Sequence, residues 1–219
     1  MTTDKNVPII IGFVGAMGAG KDTAAGFMKE LAEESQVKTE IQNFATALKT
    51  EVSEMISGLT GRNNETVLKE MYDRKTKEKW RPLLQWYGTN FRRAEDPDYW
   101  VKQLKLAIRP DIDLLLIPDV RFDNEVGLVR EFKGHIVRIV NNAERTSRHV
   151  SEDLSETFLP TDDDFTLHNQ STLSELQSSC EKVIQKILVR RGFLPLLTES
   201  QKLLERVSHG IQTCRSSRA

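Results

Sequence analysis

Two cysteines in 219 residues, Cys180 and Cys214, have neither metal-ligand spacing nor the number a disulfide framework needs, which points to a reducing compartment. No apolar run approaches the roughly 20 residues of a membrane-spanning helix. Met1 to Asn6 are polar and lead into an apolar stretch that ends in a glycine-rich turn, so a secretory leader is not expected. An excess of one charge is missing too. Lys and Arg number 31 against 32 Asp and Glu, and a net charge of −1 carries no strong nucleic-acid signal. Internal repeats and low-complexity segments are also absent. With 38% hydrophobic and 29% charged residues, what remains is a soluble, cytoplasmic chain long enough for one domain and a small appendage.

Against that background one stretch stands out, Gly15-Ala16-Met17-Gly18-Ala19-Gly20-Lys21-Asp22-Thr23. It follows the apolar run Val7–Val14 and opens a segment of helical character. Strand, glycine-rich turn, lysine and helix are the context of a phosphate-binding loop for a nucleoside triphosphate. Glycines let backbone N–H groups curve around phosphate oxygens, the helix N-terminus adds partial positive charge, and Lys21 adds a full one. Position 22 departs from the pattern, carrying Asp where Ser or Thr is expected.

Short β-branched runs predict strands at 7–14, 37–44, 112–117, 135–140 and 165–167. Helical spacing predicts helices over 22–35, 45–58, 65–72, 81–93, 98–108 and 124–132, and from Ser171 or Thr172 to Arg190. Pro82 is expected in a first helical turn, and 73–79 reads either as a solvated loop or as a basic rim for an anionic substrate. Alternating strands and helices predict an α/β fold of the three-layer P-loop type, a parallel sheet with helices on both faces. The expected domain spans 1–190, with a lid over about 141–153, followed by a helical extension over 191–219. That basic extension reads as a docked helix with a frayed tail, or as a partner-binding or nucleic-acid-binding tail, and a homodimer stays open.

Asp119 ends the aliphatic run 112–117, where a Walker-B carboxylate would hold Mg²⁺ beside the phosphate loop. Arg81, Gln85, Gly88 and Thr89 fall along one side of a helix, a guanidinium, an amide and a hydroxyl fit to read a phosphate and a base edge. Trp100 offers either a stacking ring or a core side chain. Arg145 and Arg148 share a helical face.

In order along the chain, several stretches resemble the bacteriophage-type deoxynucleoside monophosphate kinases. They are Gly18-Ala19-Gly20-Lys21-Asp22-Thr23; Phe44-Ala45 with Leu48-Lys49, where Ala47 replaces a family proline; Arg81 with Leu84-Gln85 and Gly88-Thr89; and Tyr99-Trp100-Val101. Further on come Pro118-Asp119-Val120-Arg121-Phe122 with Asn124-Glu125, then His149-Val150-Ser151-Glu152, then Asn169 with Leu173. The resemblance covers roughly 9–185 and leaves the extension unexplained.

The resemblance implies transfer of the ATP γ-phosphoryl group to a deoxynucleoside monophosphate, giving the diphosphate and ADP. Such a reaction asks for positioning and charge neutralisation. In that reading Gly15, Gly18, Ala19, Gly20, Lys21, Asp22 and Thr23 hold ATP, Mg²⁺ lies near Asp22 and Asp119, and Asn169 lies near the adenine. Arg81 and Arg121 clamp the acceptor phosphate or the transferring group, Gln85, Gly88, Thr89 and Trp100 hold base and sugar, and Glu125 bonds a sugar hydroxyl. Arg145 and Arg148 ride on a lid that excludes water, and His149 reads as a structural hydrogen-bonder. A dephospho-coenzyme A kinase and a nucleotide-dependent switch are the alternatives.

Overall fold

The computed structural model describes residues 7–141 and 158–194. Strand β1, Ile9–Val14, is buried at all six positions because it lies at the centre of a five-stranded parallel sheet. Its neighbours are β3, Leu114–Ile117, on one side and β4, His135–Val140, on the other. Strand β2, Thr39–Ile41, pairs outside β3, and β5, Phe165–His168, outside β4. Eight residues of β1 and β3 exposed to less than 2% explain why both runs read as unbroken aliphatic sequence.

Two apolar layers flank the sheet. Helix α1, Lys21–Glu34, packs with the last described helix, α8, Leu173–Arg190, over Ile11, Phe13, Leu116 and Val137. The opposite face carries α2, Phe44–Thr60; α3, Asn64–Tyr72; α4, Lys77–Gln85; α6, Tyr99–Ala107; and α7, Asp123–Glu131. A π-helix, Trp86–Arg92, and a single helical turn, α5, Arg93–Glu95, join α4 to the α6 approach. The chain leaving β1 crosses over β3 to reach β2, whereas the chain leaving β3 crosses over β1 to β4. The C-terminal ends of β1 and β3 therefore frame the crevice where such folds bind ligands.

The α/β parallel architecture is the expected one, and β4 and the Thr172-capped α8 sit at the expected positions. The differences have local causes. Strand β2 stops early because the Asp119 carboxylate accepts the N–H groups of Phe44 (3.0 Å) and Ala45 (2.9 Å), starting α2 there. Helix α2 runs past Gly58 and ends at Gly61, whose φ of 68° suits a left-handed cap. Helix α4 begins at Lys77, so Pro82 falls in its second turn rather than its first, and the Glu78 carbonyl loses its helical donor. The expected straight helix over 81–93 is instead α-helix followed by π-helix. The expected lid, the extension beyond residue 194 and Cys214 lie outside the described residues.

The Asp164 carboxylate ties the approach to β5 onto the sheet. It accepts from Arg130, from the N–H of Ile136 (2.8 Å) and from the N–H of Thr161 (2.8 Å). Burial pushes this carboxyl up, but Arg130 and the two amides outweigh it and hold it below its ordinary value. Asp164→Ala is expected to lose about 3 kcal/mol in denaturant unfolding, because buried donors lose their acceptor. The carboxyl's contribution is present above the unfolded carboxylate range and disappears as pH falls through its lowered folded value. Acid titration of wild type against Asp164→Ala should therefore show the gap closing below about pH 4.

Candidate active site

The loop after β1 is shaped by its neighbours. A side chain at Gly15 would place Cβ 2.5 Å from the Ile139 carbonyl of β4, and Gly20 has φ 99° with the Asn169 amide 2.6 Å from where a Cβ would lie. Lys21 opens α1 and folds back, its ammonium donating to the carbonyls of Gly15 (2.6 Å) and Ala16 (2.8 Å). The first N–H groups of α1 have no intrahelical acceptor and point out of the helix start, where an anion is stabilised. Asn169 donates to the Ala19 carbonyl (2.9 Å) and Asn141 to that of Gly18 (3.3 Å), fixing the loop from β5 and β4.

Beside the loop lies a cavity of about 450 Å³, a volume that suits a small ligand. Asp22, Asp119 and Arg121 line it at the strand ends, and Phe44, Ala45, Leu48 and Lys49 line it from α2. Its outer wall is one continuous helical run bearing Lys77, Arg81, Leu84, Gln85, Gly88, Thr89 and Arg93. Tyr72, Trp100, Phe122 and Glu125 complete it. Five cationic side chains thus face a space whose wall includes Asp22, the residue after the phosphate-loop lysine. An apolar wall with convergent cations is suited to a phosphomonoester carrying a flat, largely apolar group.

Residues 37–180, more than half of the chain, match the family model described as deoxynucleotide monophosphate kinase. The chain belongs to that family. It is a phosphotransferase, and of the three activities weighed from sequence the deoxynucleotide monophosphate kinase is the one shown. Among curated proteins none matches. Among solved structures the chain is similar to an APS kinase from Mycobacterium tuberculosis, 11% identical over 82% of this chain and 98% of that one, TM-score 0.40. A shikimate kinase from Acinetobacter baumannii, in complex with shikimate, is 16% identical over 85% of this chain and 96% of that one, TM-score 0.38.

In this deoxynucleotide monophosphate kinase, Asp22, Arg81, Gln85, Gly88, Thr89, Trp100, Asp119, Arg121 and Glu125 do come together around one cavity. Arg81 pairs with both oxygens of Glu78 (2.7 and 2.8 Å) and reaches Met17 Sδ of the phosphate loop (3.2 Å), so it spans the gap between cavity and loop. Thr23 is exposed on the first turn of α1, beside Asp22.

Several of the expected site residues also carry structural contacts. Ala19 is buried and its N–H donates to the Ala16 carbonyl (3.1 Å), which shapes the loop. The Asn169 side chain is engaged as a loop clamp. Trp100 is 3% exposed, and its indole N–H donates to the Gly88 carbonyl (3.0 Å), making it a wall of the core and not a free stacking ring. Glu125 is 2% exposed and fully engaged: it pairs with Arg93 and accepts the N–H groups of Arg121 (2.6 Å) and Phe122 (3.2 Å). Burial pushes its carboxyl up to about 7 against those partners. A sugar hydroxyl would have to displace one of them. Asp119 caps α2 with both oxygens, and burial raises its pKa. Arg145, Arg148 and His149 lie outside the described residues.

Two cavity cations, Arg93 and Lys49, have no role assigned from sequence, and a third, Lys77, bears on an open alternative. Arg93 continues the spacing of four set by Arg81, Gln85 and Thr89. Lys49 closes the Phe44-Ala45 stretch, four residues beyond Ala45 on the same helix face. Its ammonium lies 3.7 Å from the centre of the Tyr72 ring, and burial lowers its pKa while Asp119 and Asp22 oppose that shift. Lys77 belongs to the charge run at 73–79, and its place in the cavity favours the basic-rim reading there.

Proposed function

We propose that the donor is Mg-ATP, held by the phosphate loop, and that the cavity holds the deoxynucleoside monophosphate with its phosphate towards Asp22 and the loop. The observation that carries this is a cation-lined cavity with Asp22, from the first turn of α1, in its wall. Lys21 and the first amides of α1 bind the donor phosphates. Arg81 and Arg121, joined by Lys49 and Arg93, draw in the acceptor phosphate and counter charge in the transition state. Gln85 and Thr89 offer polar contacts to base and sugar, and Leu84, Tyr72 and the edge of Trp100 form the apolar bed.

The donor set fits Mg²⁺. Asp22 is exposed beside the loop, and each Asp119 oxygen spends one lone pair on a backbone amide and keeps another. Among the described residues no cluster of three or more His, Cys, Asp or Glu could hold a metal alone. That suits an ion bound through one or two carboxylates, water and phosphates, where it would supply charge neutralisation. A cytoplasmic site of action follows from the nucleotide substrates. No described helix is long and apolar enough to cross a membrane.

A coupled ADP-release assay over the four deoxynucleoside monophosphates, their ribose counterparts and dephospho-coenzyme A tests this reading. Turnover is expected with at least one deoxynucleotide and should cease on chelation of Mg²⁺. No turnover with any deoxynucleotide sinks the acceptor assignment, and full turnover in chelator sinks the metal assignment.

A further inference from the structure

The outer wall of the cavity is a π-helix, and π-turns break the regular bonding of a helix. The Gly88 carbonyl, inside this segment, is taken by the Trp100 indole of α6. A side chain at Gly88 would place Cβ 3.0 Å from Leu48 of α2, so the π-helix lies close against α2. One carboxylate away from the cavity gathers the same three elements. Glu51 of α2 accepts from the Tyr87 hydroxyl (3.0 Å) and from Arg92 Nε (3.1 Å), both in the π-helix, and from the Tyr99 hydroxyl of α6. Arg92 Nε also donates to the Tyr87 oxygen (3.1 Å), and its guanidinium stacks over Tyr99 at 4.7 Å.

We propose that Glu51 is the positioning residue of the acceptor site: its carboxylate holds the Trp86–Arg92 π-helix in register, so that Gln85, Thr89 and Arg93 face the cavity together. The geometry of helices gives the reason. Residues four apart drift by about 40° per step around an α-helix, so Arg81, Gln85, Thr89 and Arg93 would spiral off one face. Wider π-turns reduce that drift. Reversion to α-helix would rotate everything beyond the segment by about 100° for each residue absorbed, carrying Arg93 out of the cavity. Two tyrosines and an arginine converging on one carboxylate from two elements oppose that rotation. The hydrogen bond to Glu51, with burial, pushes the Tyr99 phenol up to about 12, and burial with the Glu51 hydrogen bond raises Tyr87, consistent with both phenols serving as donors.

The inference rests on the reading of this cavity as the acceptor site. Glu51→Gln keeps the shape but puts an amide among donors. Steady-state kinetics should show KM for the deoxynucleotide rising about tenfold or more, in line with the cost of misplacing positioning groups, with KM for ATP within twofold of wild type. Tyr99→Phe should give a smaller shift in the same direction. Asp164→Ala serves as the control, losing stability without moving the acceptor KM. If Glu51→Gln does not fold, Tyr87→Phe combined with Tyr99→Phe carries the same test. Equal shifts in both KM values, or a loss of melting temperature with neither KM moved, overturns the proposal. Hydrogen exchange gives a second readout that needs no substrate: amides of 86–93 should exchange faster in Glu51→Gln, and unchanged exchange overturns the hub. An enzyme whose wild type turns over no deoxynucleotide would instead overturn the acceptor assignment, leaving the exchange result to judge Glu51 alone.

Discussion

Glu125→Ala is expected to lose about 3–5 kcal/mol of stability, the range for removing one partner of a buried ion pair. In a chain of this size that lowers the melting temperature by about 10 °C. The cost comes from what the carboxylate leaves behind. The Arg93 side chain is only 11% exposed, and after the change it keeps the Pro97 carbonyl (3.0 Å) and the Asn124 side-chain oxygen (3.3 Å) but loses its ion-pair partner, leaving only the weaker fields of Asp98 and Asp119. The N–H groups of Arg121 and Phe122 lose their acceptor as well, and with them α7 loses its cap. Glu125→Gln keeps volume and one acceptor oxygen, so it should fall between wild type and alanine. Function follows stability through the same atoms. Arg93 lies over the Phe122 ring at 3.9 Å and lines the cavity, and Arg121 sits on the turn that Glu125 fixes. Both cations should loosen, raising KM for the deoxynucleotide more than KM for ATP. Thermal melts and a KM comparison check this. A Glu125→Ala protein within 1 kcal/mol of wild type would mean that water reaches Arg93 freely.

The same pair shows which parts of the site were legible in sequence. The phosphate loop was readable because its constraints are local and specific to residue type: only glycine fits where the Ile139 carbonyl crowds position 15 or where φ reaches 99° at position 20. Strand β4 and the Thr172 cap of α8 were readable for the same reason. Asp119 and Glu125 stood out in the sequence and line the cavity, yet their partners did not stand out, because those partners come from elsewhere in the chain. Asp119 caps a helix 74 residues upstream, and Glu125 meets an arginine 32 residues before it. The π-helix left no trace in the hydrophobic pattern. Its contacts come from Glu51, Leu48 and Trp100, which tertiary structure supplies and local propensity does not. Lys49 and Arg93 were legible in principle, through spacings of four from residues already in hand.

Lys21→Met should lower kcat by about a thousandfold, roughly 4 kcal/mol of transition-state stabilisation, while leaving the fold intact. The fold should survive because the ammonium's acceptors are carbonyls at the mouth of the loop, those of Gly15 and Ala16, where water can replace it. The chemistry should not survive, because Lys21 opens α1 and sets its full positive charge against the loop, 2.6 and 2.8 Å from the Gly15 and Ala16 carbonyls. Lys21→Arg should rescue little. The ammonium lies 2.6 and 2.8 Å from two carbonyls, a compact point-charge site that a planar guanidinium fork fits poorly. Acceptor binding provides the internal control, since the cavity cations do not include Lys21. Calorimetry should show deoxynucleotide affinity unchanged in Lys21→Met and ATP affinity reduced, with single-turnover transfer nearly abolished. If the methionine variant keeps more than a tenth of the wild-type kcat, charge at the transferring group must come from the arginines of the cavity, and Arg81 would then take the place assigned to Lys21.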